Sequence, residues 1–332
     1  MRLAFSVPVH EKNEVVANLI GNLFRYNPGC QVVLHVSQLF ADFDREQFSK
    51  MPNVVINPRQ HLTKHGKGML LSHCTNFQHL RASADFDVFC IISSNEMFIR
   101  KGLVDYIKEA GNGFQAVPFD LREDWHVFDR LANRHPKMLA LLEALKTSVI
   151  YGGQTEGQFF RKDVFGHICD LYLSTFGEDD INDFETEEVV PQTVAMSMGI
   201  KPAKPFTLVD YSHPIDYRLT PRVIDMLVNP RLLGKVKLNL GQKLRGSLVS
   251  PHLNGDDRSV FSVKRVPREI NDSLRVFINS LPAAGEAGGS HGLENQKGRM
   301  VPVVPNLRRK QFIRSLKAKL RRVLGWFRSK FR

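Results

Sequence analysis

Over its first 110 residues the chain alternates short apolar runs with helical segments, and this alternation most limits what it can fold into. RLAFSVPV (2–9) reads as a strand. In EKNEVVANLIGNLFRYN (11–27), Val15, Val16, Leu19, Ile20, Leu23 and Phe24 recur at helical spacing, and Pro28-Gly29 ends the helix. CQVVLHVS (30–37) and NVVINP (53–58) are further strands, separated by a polar helix around 43–50. GMLLSHCTNFQHLRAS (68–83) is the next helix, and VFCII (88–92) is a buried strand that stops abruptly at Ser93-Ser94-Asn95-Glu96. Such repetition predicts an α/β fold: a Rossmann-type sheet with right-handed crossovers, flanked by helices. Beyond residue 110 the alternation loosens into QAVPFD, a helix around 136–146, a turn, strand and helix over 152–176, a helix over 185–199, and a late strand TLVDYSH.

The net charge of +12 suggests nucleic acid until it is located. Residues 308–332 hold eleven Lys or Arg and no Asp or Glu, and subtracting those eleven from +12 leaves +1 for the rest. The body is thus almost neutral, which argues against a nucleic-acid-binding core and sets the tail apart. Residues 282–306, rich in Gly, Pro and Ala, read as a flexible linker. Cys30, Cys74, Cys90 and Cys169 are widely spaced in apolar surroundings, which fits a reduced, cytoplasmic setting. No apolar run approaches the ~20 residues of a bilayer-spanning helix, and the amino-terminal segment is too short and too soon polar for a signal peptide.

Several chemistries lack their signatures. VPVHEKNEV has no glycine where a dinucleotide fingerprint needs three, and Gly66-Lys67-Gly68 follows the third strand instead. There is no Walker A loop, H-E-x-x-H or G-x-S-x-G elbow. His61 and His65 lie beside Lys64 and Lys67, whose charge opposes a cation, so no metal is expected there. What remains is a set of polar loops at the carboxyl ends of the strands, where open α/β sheets bind ligands. Pro8 to Lys12 follow the first strand, with His10 among them. Arg59 to His61 and Lys64 to Gly68, with Lys67 among them, follow the third; across these loops basic and carboxamide groups alternate with small residues, which suits a phosphate-bearing ligand near backbone N–H groups. Ser94, Asn95 and Glu96 follow the fourth. Further on, Glu185, Glu187 and Glu188 open a helix that Pro191 requires either to kink or to start late. Carboxylates there commonly answer the helix dipole, but one facing a cleft becomes a general base if burial raises its pKa.

Taken in order, these stretches resemble a GT-A-type glycosyltransferase, specifically a bacterial form of the core-2/I-branching β-1,6-N-acetylglucosaminyltransferase and peptide O-xylosyltransferase family. The carriers are RLAFSVPVHEKNEVVANLI, NVVINPRQHLTKHGKGMLLSHCTNFQHL, FDVFCIISSNEMFIR, GGQTEGQFFRKDVFGHI and TEEVVPQT, over roughly residues 1–215. The resemblance implies inverting transfer from a nucleotide-sugar, expected to be UDP-linked, without an Asp-x-Asp metal site. It makes Glu188 the base that deprotonates the acceptor hydroxyl, with Glu187 as the preceding acid. It puts Pro8, His10, Arg59, Lys67, Gly68, Ser94, Asn95, Glu96, Glu156 and Glu187 around donor and acceptor. Lys264, Arg265 and Arg268 would stabilise the departing diphosphate, with Arg218 and Arg222 as substitutes. Asn95-Glu96 departs from the family pattern, and Glu96 is the residue that would ligate a divalent cation if one were used. The implied layout is a GT-A-like domain over 1–280, with a nucleotide-sugar half (1–110) and an acceptor and catalytic half (111–280), then a linker (281–306).

In the tail (307–332), Phe312, Ile313, Leu316, Leu320, Val323, Leu324, Phe327 and Phe331 form one apolar face amid Lys and Arg, with Trp326 suited to headgroup level. This is the composition of an interfacial helix on an anionic membrane, ahead of a nucleic-acid arm. The combined expectation is a cytoplasmic enzyme, peripheral on the inner face of the membrane, acting on saccharide or lipid-linked glycan acceptors in surface polysaccharide synthesis. The alternatives are a non-catalytic, membrane-tethered Rossmann-like binding protein and, third, a nucleic-acid-binding protein.

Overall fold

The computed structural model describes residues 1–63, 67–118, 135–178, 185–209, 219–228 and 259–282. All lie in the first of two compact units, Met1–Ala287. The tail, most of the linker, Arg218 and the side chain of Arg222 fall outside the described residues.

The alternation read from the sequence is the architecture observed. Strand β1 (Leu3–Val9), helix α1 (Asn13–Tyr26), β2 (Gln31–Val36), α2 (Arg45–Ser49), β3 (Val54–Ile56), α3 (Met69–Ser83) and β4 (Val88–Ile91) follow in turn. The main sheet runs β3-β2-β1-β4 in parallel, with β8 (Phe159–Arg161) antiparallel beside β4. From β1 the chain builds outward to β3, then returns to the other side of β1 for β4. A crevice therefore opens between the carboxyl ends of β1 and β4, the topological switch point of an open α/β sheet.

Alternation along β1 divides its residues between two cores. Leu3, Phe5, Val7 and Val9 pack with Val16, Leu19, Ile20 and Leu23 of α1. Ala4, on the opposite face, packs with Leu70, Leu71, Cys74 and Phe77 of α3 and with Phe165 and Ile168 of α6 (Lys162–Phe176). All four cysteines are buried free thiols.

The second half adds β5 (Met97–Phe98), α4 (Leu103–Ala110), β6 (Val117–Pro118), α5 (Pro136–Ala144), β7 (Tyr151–Gly152), α7 (Val190–Ser197), β9 (Thr207–Leu208), α8 (Pro221–Val228), β10 (Ser262–Val263) and α9 (Ser273–Ser280). A small sheet, β5-β10-β9, has its own core of Met97, Leu208, Val263, Leu274 and Ile278. Glu96 ties the two sheets together. Its Oε1 accepts from Ser93 N at 2.7 Å, and its Oε2 accepts from Thr207 Oγ1 at 2.9 Å. Gly157 permits a close crossing here. Its φ is +77°, and a Cβ would lie 2.3 Å from Thr207 N, so a side chain is excluded by both conformation and space.

Candidate functional site

A cavity of about 840 Å³ opens at the β1–β4 switch point. Segments far apart in the chain wall it. His10 comes from the end of β1, and Ile91, Ile92, Ser93 and Asn95 from the end of β4. Thr155 and Glu156, with Glu185, Glu187 and Glu188, form an acidic wall. Lys264, Arg265 and Arg268, on the loop after β10, form a basic one.

The acidic wall owes its shape to an interrupted helix start. Thr186–Glu188 is a 3-10 turn, and α7 begins only at Val190, with Pro191 in its first turn. Of the kink and the late start that Pro191 allows, the late start is the one observed. The turn is pinned from outside: Gly153 N donates to Glu188 O at 2.9 Å, and Gln192 Nε2 donates to Gly153 O at 3.2 Å. The carboxylates consequently project into the cavity instead of capping the helix.

Crowding these groups in a poorly hydrated wall resists ionisation. Burial pushes the Glu188 carboxyl up to about 9, with Glu187, Glu156 and Glu185 reinforcing the shift and Lys264 opposing it. Burial likewise raises Glu187 to about 8, with Glu185 and Glu156 adding to the shift and a backbone hydrogen bond and Lys264 subtracting from it. Glu187 Oε2 and Glu188 Oε2 have no hydrogen-bond partner among the described residues. Buried acceptors of that kind are normally satisfied, so here they are available to a ligand.

Lys264 Nζ pairs with Glu156, joining the basic stretch to the acidic one, and both side chains are mostly buried. Arg268 Nε meets Glu11 Oε2 at 2.5 Å, and the guanidinium remains 60% exposed while Glu11 is only 5% exposed. Arg265 sits between them in the left-handed region, at φ 65°. His10 stands at the rim, where crowding by the surrounding protein lowers its pKa, Arg268 and Lys264 push the same way, and Glu11 opposes.

No family model and no curated protein matches this sequence. Solved structures of low similarity include a 4-diphosphocytidyl-2C-methyl-D-erythritol synthase, 15% identical, with a TM-score of 0.35, over 68% of this chain and 98% of that one. A synthase of the same name from Anaerococcus prevotii is 10% identical, with a TM-score of 0.36, over 69% of this chain and 97% of that one. Scores of this size say nothing about chemistry here.

Of the residues singled out in the sequence, His10, Asn95, Glu156, Glu185, Glu187, Glu188, Lys264, Arg265 and Arg268 line the cavity. Pro8, Arg59, Lys67, Gly68, Ser94 and Glu96 do not. Arg59 is on the surface, paired with Glu178 at 2.9 Å. Pro8 is buried within β1, and Ser94 is 1% exposed beneath the turn. Lys67 is half-buried. Gly68 precedes α3 at φ +67°, with Leu62 O 2.3 Å from where a Cβ would stand, so glycine there answers to the turn. Glu96 has no exposed surface and binds Ser93, Thr207 and Ser262, with burial first and Glu156 second in raising it to about 8. Among the described residues no group of three or more His, Cys, Asp or Glu side chains is arranged to hold a metal ion.

Thr63, Met69 and His73 also line the cavity and were not singled out from the sequence. One signal was present: the run Ser72-His73-Cys74-Thr75-Asn76 is fully buried inside α3. So much polarity on a helix between apolar strands needs a buried partner network or a ligand.

Proposed function

We propose that the protein is an inverting glycosyltransferase, moving a sugar from a nucleotide-sugar donor to a saccharide or lipid-linked acceptor. The observation that carries this reading is that one cavity, at the switch point of the sheet, is lined by both unsatisfied, proton-holding carboxyls and a cationic loop. Lys264, Arg265 and Arg268 stabilise the negative charge that develops on the departing diphosphate. Glu188, once ionised, takes the proton of the acceptor hydroxyl as its oxygen attacks the anomeric carbon from the face opposite the leaving group. The electron pair of the cleaved glycosidic bond leaves with the diphosphate, and configuration inverts. Ion pairs to Glu156 and Glu11 hold the cations in place before the donor arrives. The resemblance to the core-2/I-branching and O-xylosyltransferase family points the same way. The tail would keep this chemistry at an anionic membrane surface, close to lipid-linked acceptors.

The test is donor hydrolysis across a panel of nucleotide-sugars, with and without EDTA, for wild type and Glu188→Gln. Slow hydrolysis that survives EDTA and falls about 10²- to 10⁴-fold in the variant is expected, the size of a lost general base. Loss of turnover with EDTA would replace cationic side chains with a metal in this account. A chain that binds no nucleotide-sugar is the non-catalytic, tethered binding protein.

A further inference from the structure

Beneath the sheet a chain of buried side chains ends at the cavity, and each link has a fixed direction. Arg59 N donates to Asn57 Oδ1 at 3.0 Å, which turns the Asn57 amide nitrogen toward Asn76 Oδ1, 2.9 Å away. The Asn76 amide nitrogen is thereby free to donate to Ser6 Oγ at 3.0 Å and to Val33 O at 3.3 Å. Ser6 Oγ, already accepting, lies 2.8 Å from His73 Nδ1. A hydroxyl oxygen can accept twice, but the Ser6 proton has no other acceptor among the described residues, so it is donated to this contact and Nδ1 accepts. A neutral imidazole that accepts at Nδ1 carries its hydrogen on Nε2. His73 is 1% exposed, lines the cavity, and has no partner for Nε2 among the described residues.

The corner around this donor is of a different character from the charged walls. Met69, Ile91 and Ile92 line it, and Thr63 adds a buried hydroxyl without a hydrogen-bond partner. Burial, then His35, lowers His73 to about 3, so the ring is neutral at any physiological pH. Lys264, by contrast, acts on His10, Glu187 and Glu188. An uncharged donor beside a hydroxyl in an apolar recess suits a flat, neutral, heteroaromatic group with an acceptor oxygen on its edge.

Building on the glycosyltransferase reading, we propose that the Thr63–Met69–His73 corner is the nucleobase subsite, and that His73 Nε2–H selects bases bearing a ring carbonyl. Uracil, cytosine and guanine present such an oxygen, and adenine does not. Ser6, Asn76 and Asn57 are positioning residues that hold the imidazole in its donor tautomer.

Two measurements on the full chain test this. In the first, long-range ¹H–¹⁵N NMR of the wild-type histidines must find His73 with its proton on Nε2 from pH 5 to 8, and Ser6→Ala must lose that uniform state. A proton on Nδ1 in the wild type overturns the proposal without any variant. In the second, calorimetry compares pyrophosphate, ADP, UDP, CDP and GDP. At least one carbonyl-bearing nucleotide should bind about tenfold or more tighter than ADP, the worth of one buried hydrogen bond. His73→Leu should erase that preference and leave pyrophosphate affinity unchanged, and His73→Gln, which restores an amide donor, should recover part of it. Equal affinity for ADP and the other nucleotides, or a preference that survives His73→Leu, overturns the subsite. Failure of the underlying reading looks different: pyrophosphate itself does not bind, and Lys264→Ala changes nothing.

Discussion

Glu188 carries the sharpest consequence at the scale of single residues. Its carboxyl ionises near 4.5 in the unfolded chain and near 9 in the folded one. Between those values the native state holds a proton that the unfolded state releases. Stability from this group is complete below about pH 4.5 and is lost as pH rises through 9. Glu188→Gln removes that loss. Urea unfolding should find the variant close to wild type at pH 4.5 and more stable at pH 8, by on the order of a few kcal/mol. Equal stabilities at both pH values would mean the carboxyl is ordinary. Activity runs the opposite way, because the base must ionise to accept a proton. The kcat/KM profile should rise through the window between about 8 and 9, above the usual carboxylate range, and report the Glu187–Glu188 pair jointly. A limb near pH 4.5 would exclude this pair from the proton transfer.

At the scale of elements, the turn between β4 and β5 decides whether the two sheets keep their relation. Glu96 was legible as a polar residue ending a buried strand, and its sequence position suited a ligand-facing role. The structure instead engages both of its oxygens within the protein. With its carboxyl raised to about 8, it is neutral at physiological pH, so an amide can take its place. Glu96→Gln should stay within about 1 kcal/mol of wild type, while Glu96→Ala should lose about 2–4 kcal/mol by leaving Ser93 N–H unsatisfied and opening a cavity. Thermal unfolding of the two variants checks this, and a Gln variant as unstable as Ala would require a charged Glu96. Helix α3 shows the complementary case. Nothing in its helical spacing marks the buried run Ser72 to Asn76, and only packing against β1 and β2 reveals that Ser6, Asn57, Asn76 and His73 form one directed chain.

At the scale of the molecule, charge is divided between a nearly neutral body and a basic tail. Removing residues 307–332 should abolish sedimentation with anionic vesicles, leave neutral vesicles unaffected, and preserve donor hydrolysis. Retained vesicle binding would move the membrane contact to the body, and preferential binding of RNA by the tail would exclude the membrane role. Among the described residues no helix is long and apolar enough to cross a membrane.

The sequence by itself determined the strands and the helices between them. Short apolar runs and helical spacing are local properties, set by which residues must leave water, so β1 to β4 and the helices between them could be read directly. It also marked Pro191 as a point where the helix must kink or start late, and the late start turns Glu187 and Glu188 into the cavity. Tertiary structure alone decided which polar residues converge. Lys264 meets Glu156, and Arg268 meets Glu11, across separations of 108 and 257 residues. Ser6 reaches His73 across 67. Such pairings depend on the order in which strands return to the sheet and on the crossing of β5, β9 and β10. No local pattern records that order. Burial, and with it the proton affinity of each carboxyl and imidazole, exists only once the layers have closed.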